Sequence, residues 1–205
     1  MTDITDKEAQ HLHRLILFSD AVFAIAITLL AIEIHPPEGW HGEDVAEFFR
    51  LMGTKLSSYA VSFVVVGVLW ISHRRICSRL VRADGVLDVL NFLMLGLMAL
   101  LPLGTEMLWH ANHGGALLIY VGLVSAIGLA QGLTWGYAAF IGHLAEPIDL
   151  TTRLLILARV TLLPGLCCGL TFVSLVTDTP WGFVAIGVLM GGMSLLVRRL
   201  QPKAA

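Results

Sequence analysis

Charged residues are scarce in this sequence. Asp, Glu, Lys and Arg make up only 14% of its 205 residues, whereas hydrophobic residues make up 57% and the mean hydropathy is +0.81. A typical soluble domain carries about 25% charged residues. The shortage of charge therefore excludes an ordinary soluble domain and indicates a chain that resides in a membrane.

Signatures of catalysis and of metal binding are also missing. The three cysteines, Cys77, Cys167 and Cys168, have no metal-ligand spacing with histidine and are read as packed or lipid-facing thiols. The eight histidines fall mostly at predicted helix ends or in loops, and no His-Glu-x-x-His or nucleophile motif is present. We expect no enzymatic activity, no cofactor, no resident metal and no nucleic-acid partner.

Long apolar runs fill most of the chain. A helix needs ~20 mostly apolar residues to cross a bilayer, and the short connections between the runs leave no room for a soluble domain. The sequence predicts an all-α polytopic membrane protein, one domain over residues 1–205 with six transmembrane helices. Their predicted bounds are Leu12–Ile34, Leu56–Cys77, Val86–Trp109, Ala116–His143, Leu154–Val176 and Trp181–Val197.

The first apolar run is expected to be a retained helix rather than a secretory signal. It is too long for a signal, it contains Asp20, and no small-residue cleavage site follows it. After it, residues 43–52 have helical apolar spacing and predict a short helix lying at the membrane surface. Helix four is rich in glycine, and small residues at fourfold spacing let helices approach closely. Its glycines include Gly122, Gly128, Gly132 and Gly136.

Basic residues are distributed unevenly between the two sides of the predicted bundle. The connection between helices two and three and the C-terminal segment are rich in arginine, whereas the loops on the other side hold only Arg50 and Lys55. The positive-inside rule then places both termini in the cytoplasm, which agrees with an even number of spans. The opposite side is acidic, and its carboxylates are either solvated loop residues or a means of concentrating cations.

An ionisable residue inside a membrane helix is expensive, at roughly 2.5–3.5 kcal/mol for Asp. Asp20 is such a residue, and His73, Asp88 and Asn91 are predicted to lie at a similar depth on helices two and three. A buried hydrogen-bond network joining helices one to three is the favoured interpretation, with His73 donating to Asp20. A proton relay or pH-sensing site remains the alternative, because histidine titrates near neutrality.

Helix one also carries an apolar stripe. Successive helical residues are turned by about 100°, so Ile25, Thr28, Leu29 and Ile32 share one face while Asp20 lies away from it. Spacing alone fits an ordinary core-facing stripe as well as a face turned toward another molecule.

One string on helix one is distinctive: Arg14-x-x-x-Phe18-Ser19-Asp20 followed by Ala-Val-Phe-Ala-Ile-Ala-Ile-Thr-Leu-Leu. It resembles the signature of the transmembrane protein 175 family, the lysosomal and bacterial potassium channels. Similarity continues at Trp70-Ile-Ser-His73, Asp88-Val-Leu-Asn91 and Leu101-Pro102, so it covers about the first half of the chain.

The resemblance implies a bacterial-type subunit with one six-helix repeat in the inner membrane, assembled as a homotetramer around a pore lined by helix one. The family's narrow hydrophobic ring falls on Ile25, with Leu29 and Ile32 on the same stripe, and its pore hydroxyl falls on Thr28. Its structural network maps onto Arg14, Phe18, Ser19, Asp20, His73, Asp88 and Asn91.

No Thr-Val-Gly-Tyr-Gly filter loop is present, so selectivity would need another origin. Four isoleucines in a ring can force partial dehydration, which potassium tolerates better than sodium. We expect a potassium-permeable channel for monovalent cations with modest selectivity. A proton-coupled secondary transporter using Asp20 and His73 is the alternative, although broken midplane helices and repeat symmetry are lacking.

Overall fold

A computed structural model describes residues 2–32, 34–37, 42, 44–109 and 114–161. Five α-helices are formed there: α1 (Thr2–Ile32), α2 (Val45–Cys77), α3 (Gly85–Ala99), α4 (Leu101–Trp109) and α5 (Gly114–Gly136). A π-helical turn, Tyr137–Ile141, continues α5, and residues 150–161 are again helical. The described part of the chain contains no β-strand, which confirms the all-α prediction for these residues.

Four segments are long and apolar enough to cross a membrane: Lys7–Ile32, Val45–Cys77, Gly85–Trp109 and Gly115–Ile141. They correspond to the first four predicted helices. The predicted fifth helix begins within the helical residues 150–161, and the rest of it and the whole of the sixth lie outside the described residues.

The prediction of a separate surface helix at residues 43–52 is wrong, because residues 45–52 form the first turns of α2. Asp44 starts the helix. Its backbone is extended, and its side chain accepts a hydrogen bond from the backbone N–H of Ala46 at 2.8 Å. No proline follows to end the helix, and Gly53 is accommodated within it.

The third span is divided at Leu100 into α3 and α4. Pro102 explains the interruption, because its ring excludes a normal helical hydrogen bond to the residue four positions earlier. Gly104 N–H still bonds to the Leu100 carbonyl at 3.2 Å, so the two pieces continue in one course across the membrane.

The main core lies where four spans meet. α1 packs chiefly on α2 and α3, and α5 packs chiefly on α3 and α4. Each span contributes fully buried side chains to this core, including Phe23, Val66, Met98, Leu101 and Ile127. Because α1 packs at one side of the bundle, one of its long faces can remain uncovered.

The loops at the arginine-rich end are tied to one another. Leu80 and Ala145 form an antiparallel bridge, with Val81 N–H donating to the Leu144 carbonyl at 2.8 Å. The Tyr137 hydroxyl donates to Asp84 Oδ2 at 2.7 Å. These contacts hold the start of α3 against the end of α5.

Asp84 also caps α3, since its Oδ1 accepts from the Leu87 N–H at 2.9 Å. Burial by itself would raise the pKa of this carboxyl. The hydrogen bonds from Tyr137 and from the Leu87 and Val86 backbone, together with the charge of Arg82, outweigh burial and hold the pKa of Asp84 below its ordinary value.

Close packing through glycine is confirmed at one predicted position in particular. A methyl group added at Gly132 on α5 would collide with Cγ2 of Thr161. Only glycine therefore lets the helical residues 150–161 approach α5 this closely. Gly122 is different, because a methyl group added there would meet no described atom within 4 Å.

Candidate ion-pathway face and polar cluster

α1 has a buried face and an exposed face at the same level of the bundle. Phe23, Ala26 and Leu30 are at most 2% exposed, whereas Ile25 is 56% exposed and Ile32 is 64% exposed. Thr28 and Leu29 are also exposed. The predicted stripe thus faces outward from the subunit and is not part of its core.

The exposed positions continue toward the N-terminal half of α1 in alternating steps of four and three residues. Such heptad spacing is typical of a helix face that meets another helix or a symmetry axis. We call this face the outer stripe, and its members are Arg14, Phe18, Ala21, Ile25, Thr28 and Ile32. Its length was not predicted from the sequence, although the spacing was readable there.

The Thr28 hydroxyl is oriented by its own helix. Oγ1 donates to the Ile25 carbonyl at 2.8 Å, which uses the only hydroxyl proton. The oxygen lone pairs remain available on the exposed side. This geometry suits a group that accepts from water or coordinates a cation.

Ser19 lies fully buried on the opposite side of α1. Its Oγ donates to the Leu15 carbonyl at 2.8 Å and accepts from Asn91 Nδ2 of α3 at 2.9 Å. Asn91 is itself buried, and its Oδ1 has no hydrogen-bond partner among the described residues. The expected connection between helices one and three is therefore present as a Ser19–Asn91 pair.

Asp20 has a partner that differs from the predicted one. Its Oδ1 accepts a hydrogen bond from Trp70 Nε1 of α2 at 2.7 Å. The expected hydrogen bond from His73 is absent, since His73 Nε2 lies 3.3 Å from Cys77 Sγ, one turn along the same helix. His73 is 3% exposed and packs its ring 5.5 Å from that of Phe23, so it points deeper into the bundle than Asp20.

Asp88 is also placed differently from the prediction, because it does not reach Asp20. Its Oδ2 is 2.9 Å from His11 Nε2 at the exposed end of α1. Phe18 stacks on Phe92 of α3 with ring centroids 5.4 Å apart, and Arg14 is exposed without an ion pair in the described part of the chain. The motif thus separates into an inner portion and a peripheral portion.

We refer to the inner portion as the Asp20 cluster, which joins α1, α2 and α3. Ser19, His73 and Asn91 are buried in it, whereas Asp20 and Trp70 are half-buried. Its members are Ser19, Asp20, Trp70, His73 and Asn91. Sequence reasoning missed the role of Trp70. It lies three residues before His73 and so on the same helix face, and its indole N–H can only donate, which makes it a natural partner for a carboxylate.

A second polar cluster, also missed, lies between α2, α4 and α5. Ser62 Oγ is 3.0 Å from the Tyr120 hydroxyl, and Thr105 Oγ1 is 2.8 Å from Ser62 Oγ. All three residues are buried. This hydroxyl cluster (Ser62, Thr105 and Tyr120) contains no charge, and single hydroxyl residues in apolar runs gave no signal that they would meet.

The described residues contain no group of three or more potential metal ligands. What they do offer is an outward row of apolar side chains with one hydroxyl, fixed from behind by the Asp20 cluster. This arrangement can line a path for ions.

Four apolar spans and this arrangement of α1 define a multi-pass membrane protein. Residues 14–102 match the model of the family described as endosomal/lysosomal potassium channel TMEM175. The helix-one string lies within these residues, so the match confirms the resemblance of the chain to this family.

Two similar bacterial proteins are each named a potassium channel. One, from Streptomyces collinus, is 36% identical over 63% of this chain and 66% of its own length. The other, from Chamaesiphon minutus, is 35% identical over 62% of this chain and 65% of its own length. The matched segment therefore spans slightly less than two thirds of these relatives.

Similar animal proteins carry a different name. The human endosomal/lysosomal proton channel TMEM175 is 28% identical over 65% of this chain and 27% of its own length. Among solved structures, the crystal structure of a lysosomal potassium-selective channel TMEM175 homolog from Chamaesiphon minutus superposes with a TM-score of 0.70. That match has 28% identity and covers 93% of this chain and 98% of the other.

Proposed function

We propose that this chain forms a potassium-permeable channel as a homotetramer, with α1 of each subunit lining a central pore. The names of the two bacterial relatives and of the similar crystal structure support potassium as the permeating ion. The channel acts without catalysis and without a bound cofactor.

The outer stripe is the observation that carries this proposal. A single subunit leaves Ile25 and Ile32 more than half exposed on a helix whose other face is fully buried. In a tetramer with α1 at the centre, these side chains would form successive rings around the axis. A helix that lines the axis of a tetramer needs an exposed face with heptad spacing, and the outer stripe has this spacing.

Ile25 sets the barrier in this mechanism, and Leu29 and Ile32 continue the apolar wall. A narrow ring of isoleucines can gate by dewetting and forces an ion to lose part of its hydration shell. Thr28 lies one turn further along, and its outward lone pairs offset part of that loss. Selectivity is modest, because few oxygens replace the water.

We place the channel in the inner membrane of a bacterium with both termini in the cytoplasm. The described basic residues support this orientation, because Arg74, Arg75, Arg79 and Arg82 all lie at one end of the bundle, beyond or within the last turn of α2. Arg50, which pairs with Glu47 at 3.3 Å, and Lys55 lie toward the other end of α2. Arginine-rich ends face the cytoplasm in most membrane proteins.

The test compares ion currents of purified wild type, Ile25→Asn and Thr28→Ala in planar bilayers under potassium and sodium gradients. Ile25→Asn should raise conductance by about twofold or more, because an amide wets the constriction. It should also lower the potassium-to-sodium permeability ratio. Thr28→Ala should lower that ratio without raising conductance.

Val64→Asn provides the matched control. Val64 is 62% exposed on α2, so the substitution adds the same amide to an exposed apolar position away from the outer stripe. It should leave conductance and reversal potential at wild-type values. An intact oligomer with wild-type currents for Ile25→Asn would show that α1 does not form the narrow part of the pore.

Protons are the rival permeating ion, because the animal relatives are named proton channels. Reversal potentials measured in the same bilayers under a pH gradient alone distinguish proton permeation from potassium permeation. A reversal potential that follows the proton gradient and ignores potassium would overturn the proposal. Saturable, proton-driven potassium flux without ohmic current would instead favour the transporter alternative, with Asp20 and His73 as its candidate groups.

A further inference from the structure

Gln131 on α5 is a polar residue deep inside the bundle that neither polar cluster includes. No other residue of the span Gly115–Ile141 carries a charge or a carboxamide. Its side chain is only 1% exposed, so it points into the protein and not toward lipid or water. A buried carboxamide costs free energy unless its polar atoms have partners. The partner of Gln131 is therefore informative.

The Gln131 side chain bonds to the backbone of α2. Its Nε2 donates to the Leu69 carbonyl at 2.9 Å. In an α-helix this carbonyl also accepts from the N–H four residues later, which here belongs to His73. The bond thus holds one turn of α2, Leu69–His73, and this turn carries two members of the Asp20 cluster.

The residue after Leu69 extends from the same turn to α1. Trp70 Nε1 donates to Asp20 Oδ1 at 2.7 Å. Two hydrogen bonds therefore connect α5 to α1 through adjacent residues of α2. The α5 end of this connection is itself fixed, because Gly132 packs so closely on Thr161 that a methyl group would not fit between them.

We propose that Gln131 is a positioning residue for the pore. By holding the Leu69–His73 turn, it keeps the Trp70 indole within reach of Asp20. That bond in turn sets the direction in which the outer stripe faces, since α1 is one uninterrupted helix. The effect of Gln131 on the Trp70–Asp20 bond stands by itself, whereas its effect on ion selectivity rests on the proposed function.

Anchoring of α5 to α2 is the competing explanation. Hydrogen bonds between helices hold membrane proteins together whatever residues lie nearby. An anchor alone predicts that loss of the Gln131 bond lowers the melting temperature and nothing else. Positioning predicts in addition a changed Trp70–Asp20 bond and changed permeation, because a hydrogen bond weakens once its N···O distance exceeds about 3.2 Å.

Gln131→Met tests the proposal, because it keeps the length of the side chain and removes the donor. The protein has five tryptophans. NMR of protein with isotope-labelled tryptophan resolves their indole N–H signals, and the signal missing in Trp70→Phe is that of Trp70. In Gln131→Met this signal should move upfield, because its hydrogen bond to Asp20 lengthens.

The second measurement is the potassium-to-sodium permeability ratio in planar bilayers. Gln131→Met should lower this ratio by about twofold, an effect typical of residues that act on a site from a distance. Added to Trp70→Phe, the same substitution should lower the ratio little further. Both changes release one connection, so their effects are not additive.

Thr134→Val is the matched control on the same helix. Thr134 is 5% exposed, and its hydroxyl donates to the Ala130 carbonyl of α5 itself at 2.9 Å. The substitution keeps the shape of the side chain and removes a buried polar group without removing a bond to α2. The Trp70 signal and the permeability ratio should both stay at wild-type values.

An unchanged Trp70 signal in folded Gln131→Met, or an equal shift in Thr134→Val, would overturn the proposal. A shifted signal with a wild-type permeability ratio, in bilayers where Ile25→Asn does change the currents, would leave Gln131 as an anchor without a role in the pore. Failure of the proposed function looks different, because Ile25→Asn itself would then have wild-type currents. The Trp70 signal still decides the role of Gln131 in that case.

Gln131→Asn replaces the methionine variant if the latter does not fold. It keeps the carboxamide but shortens the side chain by one methylene, which withdraws the donor from the Leu69 carbonyl. The same upfield movement of the Trp70 signal is expected. A folded Gln131→Asn protein with a wild-type Trp70 signal would contradict the positioning role.

Discussion

The two polar clusters make a useful comparison, because both join helices of an apolar bundle but by different chemistry. The Asp20 cluster connects α1 to α2 and α3, contains a carboxylate, and leaves Asn91 Oδ1 without a partner in the described part of the chain. The hydroxyl cluster connects α2 to α4 and α5 with neutral groups only.

The difference shows where the fold accepts an energetic cost. A half-buried carboxylate and a buried unsatisfied acceptor both cost free energy in an apolar bundle, whereas in the hydroxyl cluster the buried groups hydrogen-bond to one another. The expensive cluster stands directly behind the helix that carries the outer stripe. Its hydrogen bonds fix the orientation of α1 about the helix axis relative to α2 and α3. The hydroxyl cluster holds α2, α4 and α5 together.

Removing the carboxylate should produce the largest effect on stability. Asp20→Ala leaves the Trp70 indole N–H without its acceptor, at a cost of about 1–3 kcal/mol. We expect a lower melting temperature and a lower oligomer yield by size-exclusion chromatography, with ion selectivity less affected. His73→Ala should act in the same direction through lost packing against Phe23 and lost contact with Cys77.

Asp20→Asn serves as the control, since its amide oxygen can still accept from Trp70. It should recover much of the stability lost in Asp20→Ala. Unchanged melting and elution for Asp20→Ala, combined with a current that no longer depends on pH, would contradict a structural role. The cluster would then be a proton relay.

Tyr120→Phe should have a smaller effect within the neutral cluster. It removes one hydroxyl, but Ser62 keeps its contact with Thr105, so we expect a loss of about 0.5–1.5 kcal/mol. Tyr59→Phe is the comparison, because Tyr59 is only partly buried and its hydroxyl makes no hydrogen bond in the described residues. Thermal melting of both variants in one detergent measures the difference. Equal decreases in melting temperature would show that the Tyr120 hydroxyl contributes no more to stability than the Tyr59 hydroxyl.

Tyr137→Phe at the solvated end should have the smallest effect, and one that depends on pH. The low pKa of Asp84 means that its ionised form stabilises the fold above the unfolded-state pKa of about 3.9, and this stabilisation is lost as pH falls through the folded-state value. At neutral pH the variant should show only a small decrease in melting temperature, because water screens this exposed pair.

Melting temperatures of wild type and Tyr137→Phe between neutral pH and about pH 3 test this expectation. The difference between them should shrink as the medium becomes acidic. A gap of constant size across the range would mean that the hydroxyl acts through packing rather than through the charge of Asp84.

Sequence patterns predicted the first four spans because apolar length is a strong signal. They also predicted that Ile25 and Thr28 share a face apart from Asp20, since helical geometry fixes relative direction. Sequence patterns could not show whether the face with Ile25 and Thr28 is buried in the core or exposed at the surface of the subunit. Which side of α1 is covered depends on where α2 and α3 pack, and this is a property of the assembled bundle.

The hydrogen bonds of the Asp20 cluster show a second limit of prediction from sequence. Three donors or acceptors were available at a similar depth, and periodicity gives depth only to within about a turn. The indole of Trp70 is long enough to reach Asp20, whereas His73 finds a nearer partner in Cys77. Asp88 lies too close to the end of the bundle and meets His11 instead.

The uninterrupted course of α1 has a mechanical consequence. At 1.5 Å per residue, its 31 residues extend for about 46 Å, well beyond the ~30 Å of a bilayer's hydrocarbon core. A helix without proline or glycine behaves as a stiff rod, so a twist at Ile25 is transmitted to the protruding end. Because His11 of α1 contacts Asp88 of α3 near that end, a rotation of α1 would change the distance between these two side chains.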